Sequence, residues 1–238
     1  MTDTQPLIRT VAAIPTDKEK TALIPLTCEI NSASLVCFLG QRFSILNIYL
    51  RMLAGLTDPQ AGEIEHFVSE QTTPAHSHFP SIAYLNYNST LLSILSGFEN
   101  VIVPALYHQL GTRQEIEQQA QTLLSELNYN ANHKLLPTFM SMLQRKHLLI
   151  VRALMLKPQI LFIENPFAGL ELEETAILGH YLSELVKNKN ITIVTSNANL
   201  DFVEYYAHHI IYATEHEFQF FKHWQDFLPY KQLHRLKF

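Results

Sequence analysis

The sequence predicts an α/β fold with a mostly parallel core sheet and an inserted helical subdomain. Four short apolar runs carry the first part: "LVCFL" (35–39), "IAYL" (82–85), "ILFI" (160–163) and "ITIV" (191–194). Each is nearly continuous and bounded by polar or turn residues, as expected of strands covered by helices on both faces. Between the runs, apolar residues recur at steps of three and four, the period of amphipathic helices. The stretch 86–149 separates two runs, is mostly helical in pattern and is too long for a simple crossover, which predicts the insertion.

The remaining elements follow in chain order. In "TRQEIEQQAQTLLSELN", Ile116, Ala120, Leu123, Leu124 and Leu127 share one helical face, with Gly111 and Thr112 as the start. A second helix from about Glu173 to Val186 is expected to bury Ala176, Ile177, Leu182 and Leu185. Past Ile210, "IIYATEHEFQFF" reads as two strands around a polar turn, followed by a terminal helix or pair. Residues 210–238 are therefore a hairpin and helical tail, and 1–238 a single domain. The clearest loop is "QTTPAHSHFP" (71–80).

With 47% hydrophobic and 16% charged residues, 238 residues suffice for a buried core. A net charge of -5 argues against a nucleic-acid binder that uses a broad basic surface. Only the tail "YKQLHRLKF" is locally basic, and it reads as a solvated helix face or a partner contact. Cys28 and Cys37 form no disulfide framework and have no metal-ligand spacing, which points to a reducing cytosolic setting. The first twenty residues are polar and interrupted by Pro6 and Pro15, unlike a signal peptide, and no apolar run is long enough to span a membrane. His76 and His78 lack a third metal ligand, so a solvated loop is expected there. His208 and His209 lack evident partners. Glycine is scarce: seven, where average usage gives roughly 17.

"LGQRFSILNIYLRMLAGLTDPQAGEI" (39–64) has the layout of a strand, phosphate loop and helix, but its loop lacks the lysine and most of the glycines that hold phosphate. From "LRMLAGLTDPQAGEI" onward the chain resembles an ABC-transporter ATPase. "LLSILSGFENVIVPAL", "RALMLKPQILFIENPFAGLE" and "ITIVTSN" follow in the family's order and at its distances, so the resemblance covers about residues 20 to 215. It implies a P-loop NTPase-like nucleotide-binding domain with an inserted helical subdomain.

The family's ATP chemistry is eroded at each matching position. A phosphate loop GxxxxGK[ST] needs glycines for backbone approach, a lysine for charge and a hydroxyl for magnesium. The matching stretch is Gly40, Gln41, Arg42, Phe43, Ser44, Ile45, Leu46, Asn47 and Ile48. Here Ile45 stands for the second glycine, Leu46 for the lysine and Asn47 for the hydroxyl. Arg42 or Arg51 could replace the lost charge, but apolar plugging by Phe43, Ile45 and Leu46 is the expectation. Glu164 stands where an aspartate organises magnesium, and is expected to bond loop backbone instead. Asn165 replaces the catalytic glutamate, and a neutral amide cannot act as general base. The switch histidine is Ser196. The glutamine that senses γ-phosphate aligns with Tyr87 or Asn88. The signature LSGGQ becomes Met140, Ser141, Met142, Leu143 and Gln144, expected to start a helix and pack an interface. No Phe, Tyr or Trp precedes Phe38 to stack on adenine.

The resemblance implies a degenerate, catalytically inactive member, with phosphoryl transfer left no charge stabilisation to rest on. No cofactor or metal is expected, ATP and Mg entering only if residual binding survives. The implied partners are an integral-membrane permease and an ATPase-fold subunit, in a hetero- or homodimer, at the inner face of the cytoplasmic membrane. Tyr87, Asn88, Leu91, Leu92, Phe98 and Asn100 are the expected permease contacts. "FENVIVPAL" and "ENPFAGLE" resemble most the bacterial ATPases of MCE/Mla-type envelope lipid and lipoprotein traffic. A weakly active ATPase and a soluble scaffold are the alternatives.

Overall fold

A computed structural model describes residues 6–17, 23–68, 80–127, 129, 132–196 and 199–236. The expected loop at 71–80, with His76 and His78, lies outside the described residues except for Pro80. The chain runs β1 (Ile8–Pro15), β2 (Leu26–Ile30), β3 (Leu35–Gly40), α1 (Phe43–Leu53), β4 (Pro59–His66) and β5 (Ile82–Leu85). Then come α2 (Gly97–Tyr107), α3 (Arg113–Glu126), a 3-10 turn (Pro137–Phe139) and α4 (Met142–Leu154). The last part is β6 (Ile160–Glu164), α5 (Leu172–Lys189), β7 (Thr192–Ser196), α6 (Leu200–Tyr206), β8 (His209–Ala213), β9 (Phe218–Phe221) and α7 (Trp224–Leu233).

The central sheet has the order β5-β6-β7-β3-β8-β9. All its neighbouring pairs are parallel except β8 and β9, which form the antiparallel hairpin expected past Ile210. Each of the four apolar runs is one of its strands. Side chains alternate between the faces with period two. Leu35, Cys37 and Leu39 of β3, with Leu161 and Ile163 of β6, join the core under the helices, including Val101, Leu148, Leu178 and Phe227. Val36, Phe38, Ile160 and Phe162 join a second core with Tyr49 and Leu50 of α1. Both faces are dry, which explains why these strands read as unbroken apolar runs rather than alternating ones.

The second core is closed by a small antiparallel sheet, β2-β1-β4, that the sequence did not predict. These strands have one exposed face and an interrupted register. Pairing of β1 with both neighbours shifts near Ala12, whose φ is +47°. Opposite it, Gly62 has φ +74°, and a Cβ there would lie 2.1 Å from the Ala12 carbonyl oxygen, so only glycine fits this bulge. A strand that bulges loses the clean alternation by which it would be recognised.

The helix at 113–126 follows its sequence pattern. Thr112 and Glu115 form a reciprocal capping box, and Ile116, Ala120, Leu123 and Leu124 are buried. In α5 the buried face is instead Thr175, Leu178, Leu182, Leu185 and Val186, with Ala176 and Ile177 turned outward. The first part of the predicted stripe is displaced by one residue there. One residue step rotates a helix by about 100°, so Ile177 leaves the stripe that Leu178 begins. Leu35 and His208 exchange two hydrogen bonds: the Leu35 N–H donates to His208 Nδ1 (3.2 Å), and the His208 N–H donates to the Leu35 carbonyl (2.9 Å). His208 therefore has a structural partner, contrary to its sequence reading. Cys28 and Cys37 are buried thiols outside any disulfide, and burial pushes the Cys28 pKa up to about 11.

His147 of α4 is buried, and desolvation depresses its pKa to about 4, with Glu174 opposing the shift weakly. The folded chain keeps this ring neutral where the unfolded chain, with an ordinary pKa near 6.5, binds a proton. The sign follows: the unfolded state binds more protons between about pH 4 and 6.5, so stability falls as pH drops through that window. In His147→Phe, this part of the acid destabilisation, up to about 3 kcal/mol, is expected to vanish. Urea denaturation at pH 7.5 and pH 4.5 for both proteins measures it.

Candidate functional site

The C-terminal ends of parallel strands are where open α/β sheets bind ligands. Here Gly40, Glu164 and Ser196 end β3, β6 and β7, and α1 rises from the end of β3 after a link of only Gln41 and Arg42. The helix thus begins inside the stretch a phosphate loop would occupy. The amides of Ile45 and Leu46, at the second-glycine and lysine positions, donate to the Arg42 carbonyl (3.1 and 3.2 Å). They are consumed in the first helical turn. No side chain caps that turn. Gln41, Arg42 and Ser44 are exposed, while Ile45, Asn47 and Ile48 are half-buried.

Leu46 is 1% exposed and sits in the core beside Phe38 and Leu50. The Phe43 side chain lies outside what the structure describes. A recess of about 920 Å³ persists between Gly40–Arg42, the turn at 214–217 and the end of α7, near Tyr230 and His234. Ile45 and Leu46 both line this recess, Leu46 with its side chain packed into the core. At its inner wall, the Tyr49 hydroxyl is held by the backbone N–H and carbonyl of Ile24 (2.9 and 2.5 Å).

One face of α1 closes on the strand ends through two residues a helical turn apart, Asn47 and Arg51. Arg51 Nε donates to Glu164 Oε1 at 3.2 Å. The Tyr84 hydroxyl donates to the same oxygen at 2.6 Å, and the Tyr87 N–H donates to Oε2 at 2.8 Å. Glu164 is 3% exposed, so its charge is desolvated and needs this counter-charge and these donors. Burial, with the bond to Glu164 next, raises the Tyr84 pKa far above that of a free phenol and keeps the hydroxyl a donor. Arg51 entered the sequence reading only as a substitute phosphate charge. Its actual partner is a protein carboxylate. Tyr84 was missed there, although a tyrosine inside "IAYL" is the one polar side chain of an otherwise apolar strand.

Asn47 makes the second link. The Ser196 hydroxyl donates to Asn47 Oδ1 at 2.7 Å. The Asn165 N–H in turn donates to the Ser196 hydroxyl (3.2 Å) and carbonyl (3.0 Å), with Asn165 held at φ +42°. Because Glu164 pairs with Ser196 across β6 and β7, the two links are adjacent. Ser196, at the position matching the switch histidine, thus bonds both the Asn47 side chain and the Asn165 backbone amide.

The signature-equivalent residues start α4. Ser141 accepts from the Gln144 N–H (3.2 Å), and the Gln144 side chain accepts from the Ser141 N–H (2.9 Å), a reciprocal capping box. Met140 is buried, Leu143 half-buried and Met142 partly exposed. A groove of about 730 Å³ runs between residues 85–91, the start of α4 and the turn at 166–169. Tyr87, Asn88 and Leu92 are exposed beside it or along its edge, and Phe98 is half-buried against His133. Leu91 is buried in the core and lines the groove from inside. Asn100 is 1% exposed, its Nδ2 donating to the carbonyls of Leu92, Leu95 and Ser96 and its Oδ1 accepting from the Leu92 N–H (2.7–3.1 Å). It ties the loop to α2 internally because that loop's backbone groups have no strand or helix to pair with. The exposed apolar residues here are Leu92, Ile94, Tyr107 and Phe139, of which Ile94 and Phe139 carry no signal in the sequence. Among the described residues no cluster of His, Cys, Asp and Glu could hold a metal, and no helix is long and apolar enough to cross a membrane.

This geometry meets a family match at residues 47–168, just over half the chain, to the family described as ABC transporter. The chain belongs to that family. Similar proteins include the sulfate/thiosulfate import ATP-binding protein CysA 2 of Shewanella oneidensis, 27% identical over 73% of this chain and 49% of that protein. The phosphonates import ATP-binding protein PhnC of Rhizobium meliloti is 25% identical over 81% of this chain and 73% of its own. The chain spans about half the length of the first curated relatives it matches. Among solved structures, cbiO1 of Clostridium perfringens, part of the ABC transporter complex cbiONQ, superposes with a TM-score of 0.82 at 16% identity over 97% of this chain and 94% of that one. An inward-facing ABC transporter of the metal-chelate type gives 0.77 at 21% identity, covering 92% and 84%. The fold is therefore that of an ABC nucleotide-binding domain, with the P-loop NTPase arrangement of a mostly parallel sheet.

Arg51→Met removes the counter-charge of a buried carboxylate, for which the loss is typically 3–5 kcal/mol. Because the Arg51 side chain is 49% exposed, solvent screening brings the expectation to about 1–3 kcal/mol. Adding Glu164→Gln to that variant is expected to recover part of the loss, since the unpaired charge disappears. A double-mutant cycle by chemical denaturation checks both; strict additivity would show that the pair is not coupled.

Proposed function

We propose that this chain is a catalytically inactive ABC-type subunit that docks on a membrane permease and pairs with an ATPase-fold subunit or with a second copy of itself. The observation that carries the proposal is the bonding of Ser196 to the Asn47 side chain and the Asn165 backbone amide, beside a Glu164 paired with Arg51. Magnesium would need the Glu164 oxygens and a hydroxyl at position 47. The oxygens are engaged by Arg51, Tyr84 and Tyr87, and position 47 is an amide. A terminal phosphate would need a cation at position 46 and free loop amides, whereas Leu46 is buried and the Ile45 and Leu46 amides are spent. The donor set does not fit Mg-ATP, and no chemical step is derived through it.

The docking part rests on family membership and on the groove beside Tyr87. In an active member that loop reports on the γ-phosphate; here its Tyr87 N–H is bonded to Glu164. We read this as a loop held in one position whatever the nucleotide state of the partner. Tyr87, Asn88 and Leu92 remain candidate contacts with the permease, joined by Ile94 and Phe139. The envelope-lipid reading rests on "FENVIVPAL" and "ENPFAGLE" alone, and the matched relatives are named for sulfate, phosphonate and methionine import. Cargo therefore forms no part of the proposal. We place the chain at the inner face of the cytoplasmic membrane, through its partners.

Equilibrium titration with fluorescent ATP and magnesium into the millimolar range is expected to give no saturable binding; saturable binding with phosphate release would overturn the proposal. Leu46→Lys is expected to lower stability by roughly 3 kcal/mol or more, because it buries a charge in the core. An unchanged melting temperature with gained ATP affinity is the opposing result. Affinity purification from detergent-solubilised membranes is expected to recover an integral-membrane protein, and recovery of none would favour a detached scaffold.

A further inference from the structure

The groove of about 730 Å³ between residues 85–91, the start of α4 and the turn at 166–169 holds two cations that nothing in the chain answers. Arg145 and Lys146 both line it, and both are half-buried. Neither makes an ion pair or a side-chain hydrogen bond among the described residues. Elsewhere the chain pairs such groups: Arg9, Arg51, Arg113, Lys187 and Lys189 each face a carboxylate at 2.7–3.6 Å. Of the nitrogens of Arg145 and Lys146, only Arg145 Nε is buried without a partner. The terminal guanidinium nitrogens and the Lys146 ammonium therefore keep accessible surface at the wall of the groove.

Three costs fall on this pair. Partial burial withdraws hydration from both charges, and it lowers the Lys146 pKa with no neighbouring charge to oppose it. The two cations are adjacent in sequence and repel each other. Arg145 closes the first turn of α4, which contains no acidic residue, so its charge stands at the positive end of the helix dipole. A bound anion relieves all three at once.

The rest of the wall narrows the class of anion. Among the described residues its one carboxylate is Glu164, whose charge is already met by Arg51 and whose oxygens are bonded by Tyr84 and Tyr87. Two free cations match a dianion. A guanidinium beside an ammonium suits phosphate: the planar fork gives paired hydrogen bonds to two oxygens, and the ammonium is a point charge for a third. Ser93 and Thr138 add exposed hydroxyls. A bare oxyanion would leave most of the groove empty, and Leu91, Met142, Leu149 and Ile150 offer apolar surface to an organic body.

We propose that this groove binds a small organic phosphate monoester as its dianion, held at the phosphate by Arg145 and Lys146. The binding does not rest on the inactivity or the docking proposed above. Its consequence reaches the docking, because the ligand lies against Tyr87 and Asn88, two of the candidate permease contacts.

The test is calorimetric titration of the full chain, at pH 7.5 and low salt, with phenyl phosphate and glycerol 3-phosphate. Inorganic phosphate, malonate and glycerol are the comparisons. Saturable binding of at least one ester with a Kd at or below about 1 mM is expected, with inorganic phosphate and malonate weaker and glycerol not saturating. Arg145→Met and Lys146→Met keep the aliphatic stem and remove the charge, and should each weaken ester binding about tenfold. Neither should lower the urea midpoint, since each removes a charge without a partner in the folded chain; a midpoint lowered in both variants would show internal partners and count against the site. Absence of saturation with both esters overturns the proposal. So does ester binding left unchanged in both variants, malonate bound more tightly than either ester, or inorganic phosphate bound as tightly as the esters.

Discussion

A carboxylate buried at the end of a strand imposes the main constraint on this molecule. Glu164 cannot sit at 3% exposure without a counter-charge and donors for its oxygens. Arg51 supplies the charge from α1, Tyr84 a hydroxyl from β5, and Tyr87 an amide from the loop that follows. Three segments that lie far apart in sequence are therefore held at one point of the sheet. With Asn47 bonded to Ser196 one helical turn earlier, α1 is clamped across the ends of β6 and β7. Elsewhere in this fold, that gap is where a nucleotide and its metal would be cradled.

The clamp also accounts for the polar groups at these strand ends. They require partners, and water is poorly placed to supply them inside a dry sheet edge. The chain meets the requirement internally. The Asn47 amide and the Ser196 hydroxyl are matched to each other. A helix that starts at Phe43, after a link of two residues from β3, consumes the backbone amides that a longer loop would have offered. Ile45 and Leu46 form part of the wall of the recess next to it.

Legibility of the fold tracked how strongly local pattern was coupled to burial. The four central strands were visible because both faces are dry, and the helix at 113–126 because one face is apolar and its cap is explicit in Thr112 and Glu115. The sheet of β1, β2 and β4 was not, since a half-exposed strand with a bulge at Ala12 offers neither an unbroken run nor a clean alternation. Ala176 and Ile177 were assigned to the wrong side of α5 because small and apolar residues stand on both of its faces. Asn100 looked like an exposed contact only because asparagine is usually on surfaces; its role is to satisfy loop backbone.

The sequence by itself determined the layered α/β architecture, the order of its landmarks and the identity of the residues at the positions matching the family's ATP site, because these depend on residue type and spacing along the chain. It also told which chemical groups stand there: leucine at 46, an amide at 165, a hydroxyl at 196. Only the tertiary structure decided what those side chains touch. Whether Arg51 met a carboxylate, whether Asn47 met Ser196, and whether Asn100 faced outward or in depended on segments brought together from distant parts of the chain. Hydrogen bonds and ion pairs act over a few ångströms in space, and one-dimensional spacing does not record those distances.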